Sequence, residues 1–320
     1  MRLTRRRLLT ATAATLAAPR LALGASPVET LDGAAFGTGW RVVLPAGAGA
    51  ARLRAPLKAL LAEIDAEQSP WRPDSLITAF NRAPAGPVEA TPETARVAAA
   101  ALALAGTTHG AFDPSVGPLV ARWGFGPIEG TPGGWRGLGA GDGMLEKAED
   151  GLTLDLCGIA KGRALDRMAE TLRAAGHDDF LIDLGGELTA RGRHPTGRPW
   201  HAGIEDPRPG IAALAGAVTL DGTAIATSGT RANSYSAGDR LYSHIIDPAA
   251  REPITGALAS VSVLAPTAME ADGWATALMA AGETRGPALA TRHGIAALFL
   301  SATPDGLTAT RTGGFDAAEL

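Results

Sequence analysis

LIDLGGEL, Leu181 to Leu188, reads as a strand, a Gly-Gly step and a second strand. The same hairpin-like texture runs through the second half of the chain. Strands are expected near Phe180–Leu184, Trp200–Ile204, Ala217–Leu220, Ala224–Thr227, Leu241–Ile246, Ala259–Leu264 and Ile295–Leu300. Helical spacing is expected over Ala51–Glu67, Thr91–His109, about Gly158–Ala175, Glu270–Gly282 and Thr284–His293. Strands in runs, rather than in strict alternation with helices, predict an α+β fold. The expected form is a compact single domain with mainly antiparallel sheet and packed helices. Leu31–Pro45 alternates like one strand, Ser69–Pro84 reads as a loop with one short helical turn, and the glycine-heavy segment ending at Gly143 reads as a surface excursion.

Of 320 residues, 46% are apolar and 19% charged, which describes a globular chain and not a disordered one. The single Cys157 excludes an intramolecular disulfide framework and a cysteine-rich metal site. Residues 1–25 have a basic start, a short Ala/Thr/Leu middle and small residues near Ala25, the layout of a signal peptide too short to span a membrane. Thr4-Arg5-Arg6-Arg7-Leu8-Leu9 resembles a twin-arginine export signal, with a general secretory signal as the alternative. No cysteine near the cleavage region offers a lipid anchor, so residues 26–320 are expected as one periplasmic domain. Losing Arg2, Arg5, Arg6, Arg7 and Arg20 takes the formal charge from −4 to −9. A domain that acidic is not expected to bind nucleic acid or insert stably into a membrane.

Only Lys58, Lys147 and Lys161 among the 29 basic residues are lysine. Lys161 falls in the first turn of the helix after LDLCG, where the free N–H groups favour an anion. A cation there opposes the dipole unless something negative is bound; the alternative is an ordinary exposed lysine. In EADGWATALMAAG, Asp272 and Thr276 sit four residues apart and share a face of an otherwise apolar helix. His244 lies in the strand read from RLYSHIIDP, as a general base or as a structural histidine. Ser228 ends the strand ATS and could hold phosphate oxygens, or belong to a turn. Asp183 and Glu187 flank the Gly-Gly step, facing a ribose or adenine edge or closing a plain hairpin. Trp71, in a Pro-bounded polar loop, could stack on a planar ligand, whereas Trp123 and Phe125 read as core.

GTGW, SPWRPDSLITAFN, GAFDPSVGPL, LDLCGIAKG, LIDLGGEL, IATSG, YSHIIDP and ADGWATALM follow one another in the order found in ApbE-type FAD:protein FMN transferases. The resemblance covers essentially the whole chain after residue 25 and implies an ApbE-like, T-fold-related domain. It further implies that FAD is split with Mg²⁺ and that FMN passes to a threonine or serine hydroxyl of an acceptor protein, releasing AMP. By resemblance, Asp272, Thr276 and the Gly158 carbonyl hold Mg²⁺, His244 is the base, and Lys161 neutralises pyrophosphate charge. Ser228 then holds phosphate, Trp71 lies near the isoalloxazine, and Glu187 or Asp183 faces the AMP half. The expected acceptor is a periplasm-facing redox subunit. An FAD pyrophosphatase and a non-catalytic flavin-binding protein are the rival readings. Cys157, Arg251 and Thr230-Arg231 depart from the family pattern near the phosphate turn, after the histidine and after TSG.

Overall fold

The structure, a computed structural model, describes residues 27–231, 233–238 and 240–317. The expected export signal over residues 1–25 lies outside the described residues. Eight strands form the main sheet: β1 (Val28–Ala35), β2 (Thr38–Pro45), β3 (Phe180–Leu184), β4 (Glu187–Arg191), β5 (Thr223–Gly229), β6 (Leu258–Ala265), β7 (Ala296–Thr303) and β8 (Gly306–Thr312). Each pairs antiparallel with the next, so order in the sheet follows order in the chain. Among the described residues six α-helices accompany it: α1 (Arg54–Gln68), α2 (Leu76–Arg82), α3 (Pro92–Thr107), α4 (Gly117–Arg122), α5 (Ala160–Ala174) and α6 (Ala268–His293).

Both faces of the sheet are covered. On one face, Trp40, Val42 and Leu44 of β2 alternate inward and meet Leu57, Leu61 and Ile64 of α1 and Leu165 and Met168 of α5. Along the same sheet, Val261 and Val263 of β6 pack with Leu278 and Met279 of α6. A two-stranded hairpin, Trp200–Glu205 with Leu214–Leu220, covers the opposite face through Trp200, Ile204 and Val218. That double covering explains why Leu258 to Val263 of β6 are all buried instead of alternating. Helices α2 and α3 form a further cluster with Leu145, Leu154 and Leu156. Among the described residues no helix is long and apolar enough to cross a membrane.

The α+β antiparallel expectation holds, with local corrections. The expected single strand over Leu31–Pro45 is a hairpin, reversed at Phe36 and Gly37, both with positive φ (52° and 73°). Alternation continues through that turn, so the pattern alone hid it. The Ser69–Pro84 loop contains the seven-residue α2, capped by the Ser75 side chain. The excursion before Gly143 contributes Leu138–Gly141 to a three-stranded sheet, and β8 was not foreseen. The two expected C-terminal helices appear as α6, broken at Gly282 (φ 78°, ψ −175°). The expected strand Leu241–Ile246 is interrupted: strand Arg240–Ser243 ends before His244, and a short strand Ile246–Asp247 follows. His244 therefore sits in the bend between them. Its backbone N–H and its ring Nδ1 both donate to the Asn233 carbonyl (3.1 and 3.0 Å), one pair beyond the Ser234–Ser243 register of the hairpin to which Arg240–Ser243 belongs.

Helices α5 and α6 cross with almost no space between them. A Cβ on Gly162 would lie 2.2 Å from the Ala268 carbonyl oxygen, so only glycine permits the approach. Asp166 of α5 accepts the Ala268 and Met269 N–H groups (2.8 and 3.0 Å), while Thr267 accepts that of Glu270 (3.2 Å). Three of the donors that a helix start leaves without an intrahelical partner are thus satisfied, two of them from the neighbouring helix. Asp166→Ala is expected to lower stability by about 1–2 kcal/mol, read as a shifted urea midpoint at unchanged slope. Asp178→Ala, which removes an exposed pair with Arg191, should cost no more than about 0.5 kcal/mol.

Candidate active site

The first turn of α5, the middle of α6, the end of β5 and the bend at His244 converge on a cavity of about 350 Å³. Gly158, Lys161, Glu187 and Ser228 line it, together with His244, Asp272, Thr276 and Trp71. A second cavity of about 650 Å³ opens beside it and shares Trp71, Cys157, Lys161 and His244 with the first. Asp183 is not among the residues of either wall. Its carboxylate accepts the Gly186 N–H (3.0 Å) and closes the turn between β3 and β4, which corrects the expectation that it faces a ligand. Glu187, on the other side of that turn, points inward and is buried.

The turn Cys157–Ile159 delivers the chain into α5, whose start carries no side-chain cap of its own. Asp272 supplies the missing acceptor: its Oδ2 takes the Gly162 N–H at 2.9 Å. The negative group that a helix start favours is thus a carboxylate from α6. One turn further along α6, the Thr276 hydroxyl lies 3.4 Å from Ser228 Oγ and against Gly158, where a Cβ would come within 2.9 Å of its methyl group. The structure brings Asp272, Thr276, Ser228 and the Gly158 backbone together.

Lys161 forms an ion pair with Glu187. Burial works against the ammonium, but Glu187 and Asp272 outweigh it and hold Lys161 above its ordinary range. Burial raises Glu187 to about 7; Lys161 opposes this and Asp272 adds to it. Asp272 is also pushed up by burial, against the pull of Lys161 and the Gly162 N–H. Two buried carboxylates share one lysine, and Glu187 Oε2 finds no hydrogen-bond partner among the described residues. That surplus of negative charge and oxygen donors fits a hard cation. Asp272, Thr276 and the carbonyl at Gly158 could supply its ligands, a set of few charges and all oxygen.

His244 is held as a neutral base. Burial pushes its pKa down, and the Asn233 carbonyl only partly offsets this. A carbonyl can only accept, so Nδ1 carries the proton and Nε2 keeps its lone pair. Trp71 is 65% exposed, at the cavity mouth and not in the core. Phe125 is buried, as expected, yet forms part of the cavity wall. Trp123 is only half-buried and stacks on Tyr242 (5.4 Å between centroids). Sequence reasoning missed Asp155, whose carboxylate accepts the Cys157 N–H (2.9 Å) at the cavity edge, and Asn233, which orients the imidazole. The position of Asp155 inside LDLCG was a usable signal; nothing in sequence spacing marked Asn233. Cys157 is exposed, although surrounding atoms crowd its sulfur; that crowding and Asp155 push the thiol upward.

Comparison with known proteins places this geometry. The ApbE family matches residues 36–299. A Klebsiella pneumoniae FAD:protein FMN transferase is 35% identical over 300 residues, covering 86% of each chain. The Vibrio cholerae counterpart is 35% identical over 295 residues, covering 86% of this chain and 88% of the relative. Among solved structures, the apo flavinyl transferase ApbE of Pseudomonas stutzeri superposes with a TM-score of 0.80 at 36% identity, covering 90% of this chain and 96% of that one. The flavin transferase ApbE of Vibrio cholerae gives 0.81 at 34% identity, covering 90% and 99%. Coverage of the fold from its first hairpin to β7, at these identities, means that the chain belongs to the ApbE family.

Proposed function

We propose that this chain transfers FMN from FAD to a protein, and that the acceptor group is a threonine or serine hydroxyl. The observation that carries the reading is one cavity, in a chain of this family, where a neutral histidine, a half-buried lysine and a carboxylate–hydroxyl pair meet. Asp272, Thr276 and the Gly158 carbonyl would hold Mg²⁺, which supplies charge neutralisation at the pyrophosphate when bound. His244 Nε2 takes the proton of the acceptor hydroxyl as its oxygen attacks the FMN phosphorus. One phosphorus–oxygen bond forms, the pyrophosphate bond breaks in line with it, and AMP leaves. Lys161, kept charged by Glu187, faces the phosphate charge that grows on the leaving group. Ser228 is set to hold a phosphate oxygen and Trp71 to cover the flavin ring at the mouth. Residues 1–25 act as an export signal in this reading, and the acceptor is a periplasm-facing redox subunit.

Two outcomes check this. With FAD, Mg²⁺ and an acceptor domain, His244→Ala should bind FAD as the wild type does and lose about 10²–10⁴-fold in flavin transfer, read as fluorescence on the denatured acceptor band. Release of AMP without a fluorescent band, in the wild type, would show a pyrophosphatase instead.

The second concerns pH in the metal-free chain. Glu187 rises from an ordinary 4.5 to about 7 on folding, so its contribution is fully present below about pH 4.5 and is lost as pH rises through 7. Thermal stability should fall between pH 5 and 8, with Glu187 accounting for about 3 kcal/mol at most. Glu187→Gln should flatten that fall, whatever its absolute melting temperature; an unchanged slope would remove Glu187 from the charge balance.

A further inference from the structure

Lys147 is the most deeply buried of the three lysines, 1% exposed, and plays no part in the cavity. Its Nζ donates to the carbonyls of Asn81 (3.1 Å) and Leu152 (3.2 Å) and lies 5.2 Å from the centre of the Phe80 ring. The Asn81 carbonyl belongs to the last turn of α2, where the helix leaves carbonyls without partners and a cation is favoured. A buried charge is therefore spent on joining the end of α2 to the stretch that begins at Leu152.

That stretch, Leu152 to Leu156, has no regular secondary structure, yet Leu152, Thr153, Leu154 and Leu156 are buried. Buried backbone outside a sheet has to find its hydrogen bonds elsewhere. Asn81 provides them as a neighbouring strand would. Its Oδ1 accepts the Leu154 N–H at 2.7 Å and its Nδ2 donates to the Leu154 carbonyl at 3.0 Å. From the other side, the Pro114 carbonyl accepts the Asp155 N–H at 2.6 Å. Three residues on, the chain reaches Gly158, packed against Thr276.

The same short helix holds the other wall. Thr78 Oγ1 in its first half donates to the Arg72 carbonyl (2.7 Å) and Arg82, beside Asn81 at its end, donates to the Pro73 carbonyl (3.1 Å), fixing the loop that carries Trp71. We propose that Asn81 and Lys147 are positioning residues, a latch through which α2 sets the Asp155–Gly158 turn and the Trp71 loop as one rigid frame around the cavity. Neither residue touches the reacting groups; both act through the backbone of Leu152 and Leu154. The latch is read from these bonds alone, while its effect on catalysis rests on the transfer reading.

The test compares Asn81→Ala, Asn81→Asp and a control, Val218→Ala, on the far side of the sheet. Two readouts are taken: amide exchange over residues 152–158, and FMN transfer as a function of Mg²⁺. Asn81→Ala should speed exchange in that segment at least tenfold and raise the Mg²⁺ needed for half-maximal transfer at least tenfold. The acceptor KM should stay within about twofold. Asn81→Asp keeps the acceptor for the Leu154 N–H and loses the donor, so it should fall between wild type and Ala, and it carries the test if Ala fails to fold. Val218→Ala should leave exchange at 152–158 and the Mg²⁺ dependence as in wild type. Wild-type exchange and Mg²⁺ dependence in the Asn81 variants, or changes matched by Val218→Ala, would overturn the latch. A wild-type chain that transfers no FMN would defeat the transfer reading alone, and the exchange rates would still decide the latch.

Discussion

One hydrogen bond ties the architecture to the chemistry: the Gly162 N–H of α5 to Asp272 Oδ2 of α6, at 2.9 Å. It requires a glycine, because the Ala268 carbonyl leaves no space for a side chain at that point. It satisfies a helix-start donor that has no other cap, and it leaves the other carboxylate oxygen of Asp272 free of that bond. Everything else in the cavity is referenced to this crossing. Thr276 is one turn from Asp272, Gly158 is one turn before Gly162, and Lys161 sits between them on the helix start. Moving either helix would separate the oxygen donors from the lysine.

The electrostatics follow from burial. Two carboxylates face one ammonium, and burial raises both acids, so that without a cation part of their negative charge is met by protons. A cation bound there would take the place of those protons. Burial has the opposite sign at His244, where it favours the uncharged ring, and the Asn233 carbonyl selects the tautomer with a free Nε2. The same physical cause therefore favours protonated acids on one wall and an unprotonated ring on another.

Much of this was legible in the sequence because it depends on short spacings. Asp272 and Thr276 share a helix face at i and i+4, and Gly158, Lys161 and Gly162 mark a helix start close to ligand and neighbour. The strand–Gly–Gly–strand step correctly announced the antiparallel sheet, but its symmetry could not say which acid turned inward; the turn itself takes Asp183 and leaves Glu187 to the cavity. The pattern put His244 inside a strand, since it does not show the bend where one strand ends at Ser243 and the next begins at Ile246; nor does it show the ring's partner, Asn233, eleven residues away. Asn81 and Lys147 were illegible for a stronger reason. Their partners lie 73 and 5 to 66 residues away and are backbone atoms, which carry no sequence signature.

If Asp272 anchors a cation beside Lys161, as proposed, Mg²⁺ affinity depends on its charge. Titrating Mg²⁺ into the FAD-loaded protein by calorimetry, with wild type and Asp272→Asn side by side, tests it most directly. Saturable binding at one site is expected in the wild type, with proton release near pH 7, and at least a hundredfold loss of affinity in Asp272→Asn while FAD stays bound. Equal Mg²⁺ affinity in the two proteins would contradict it.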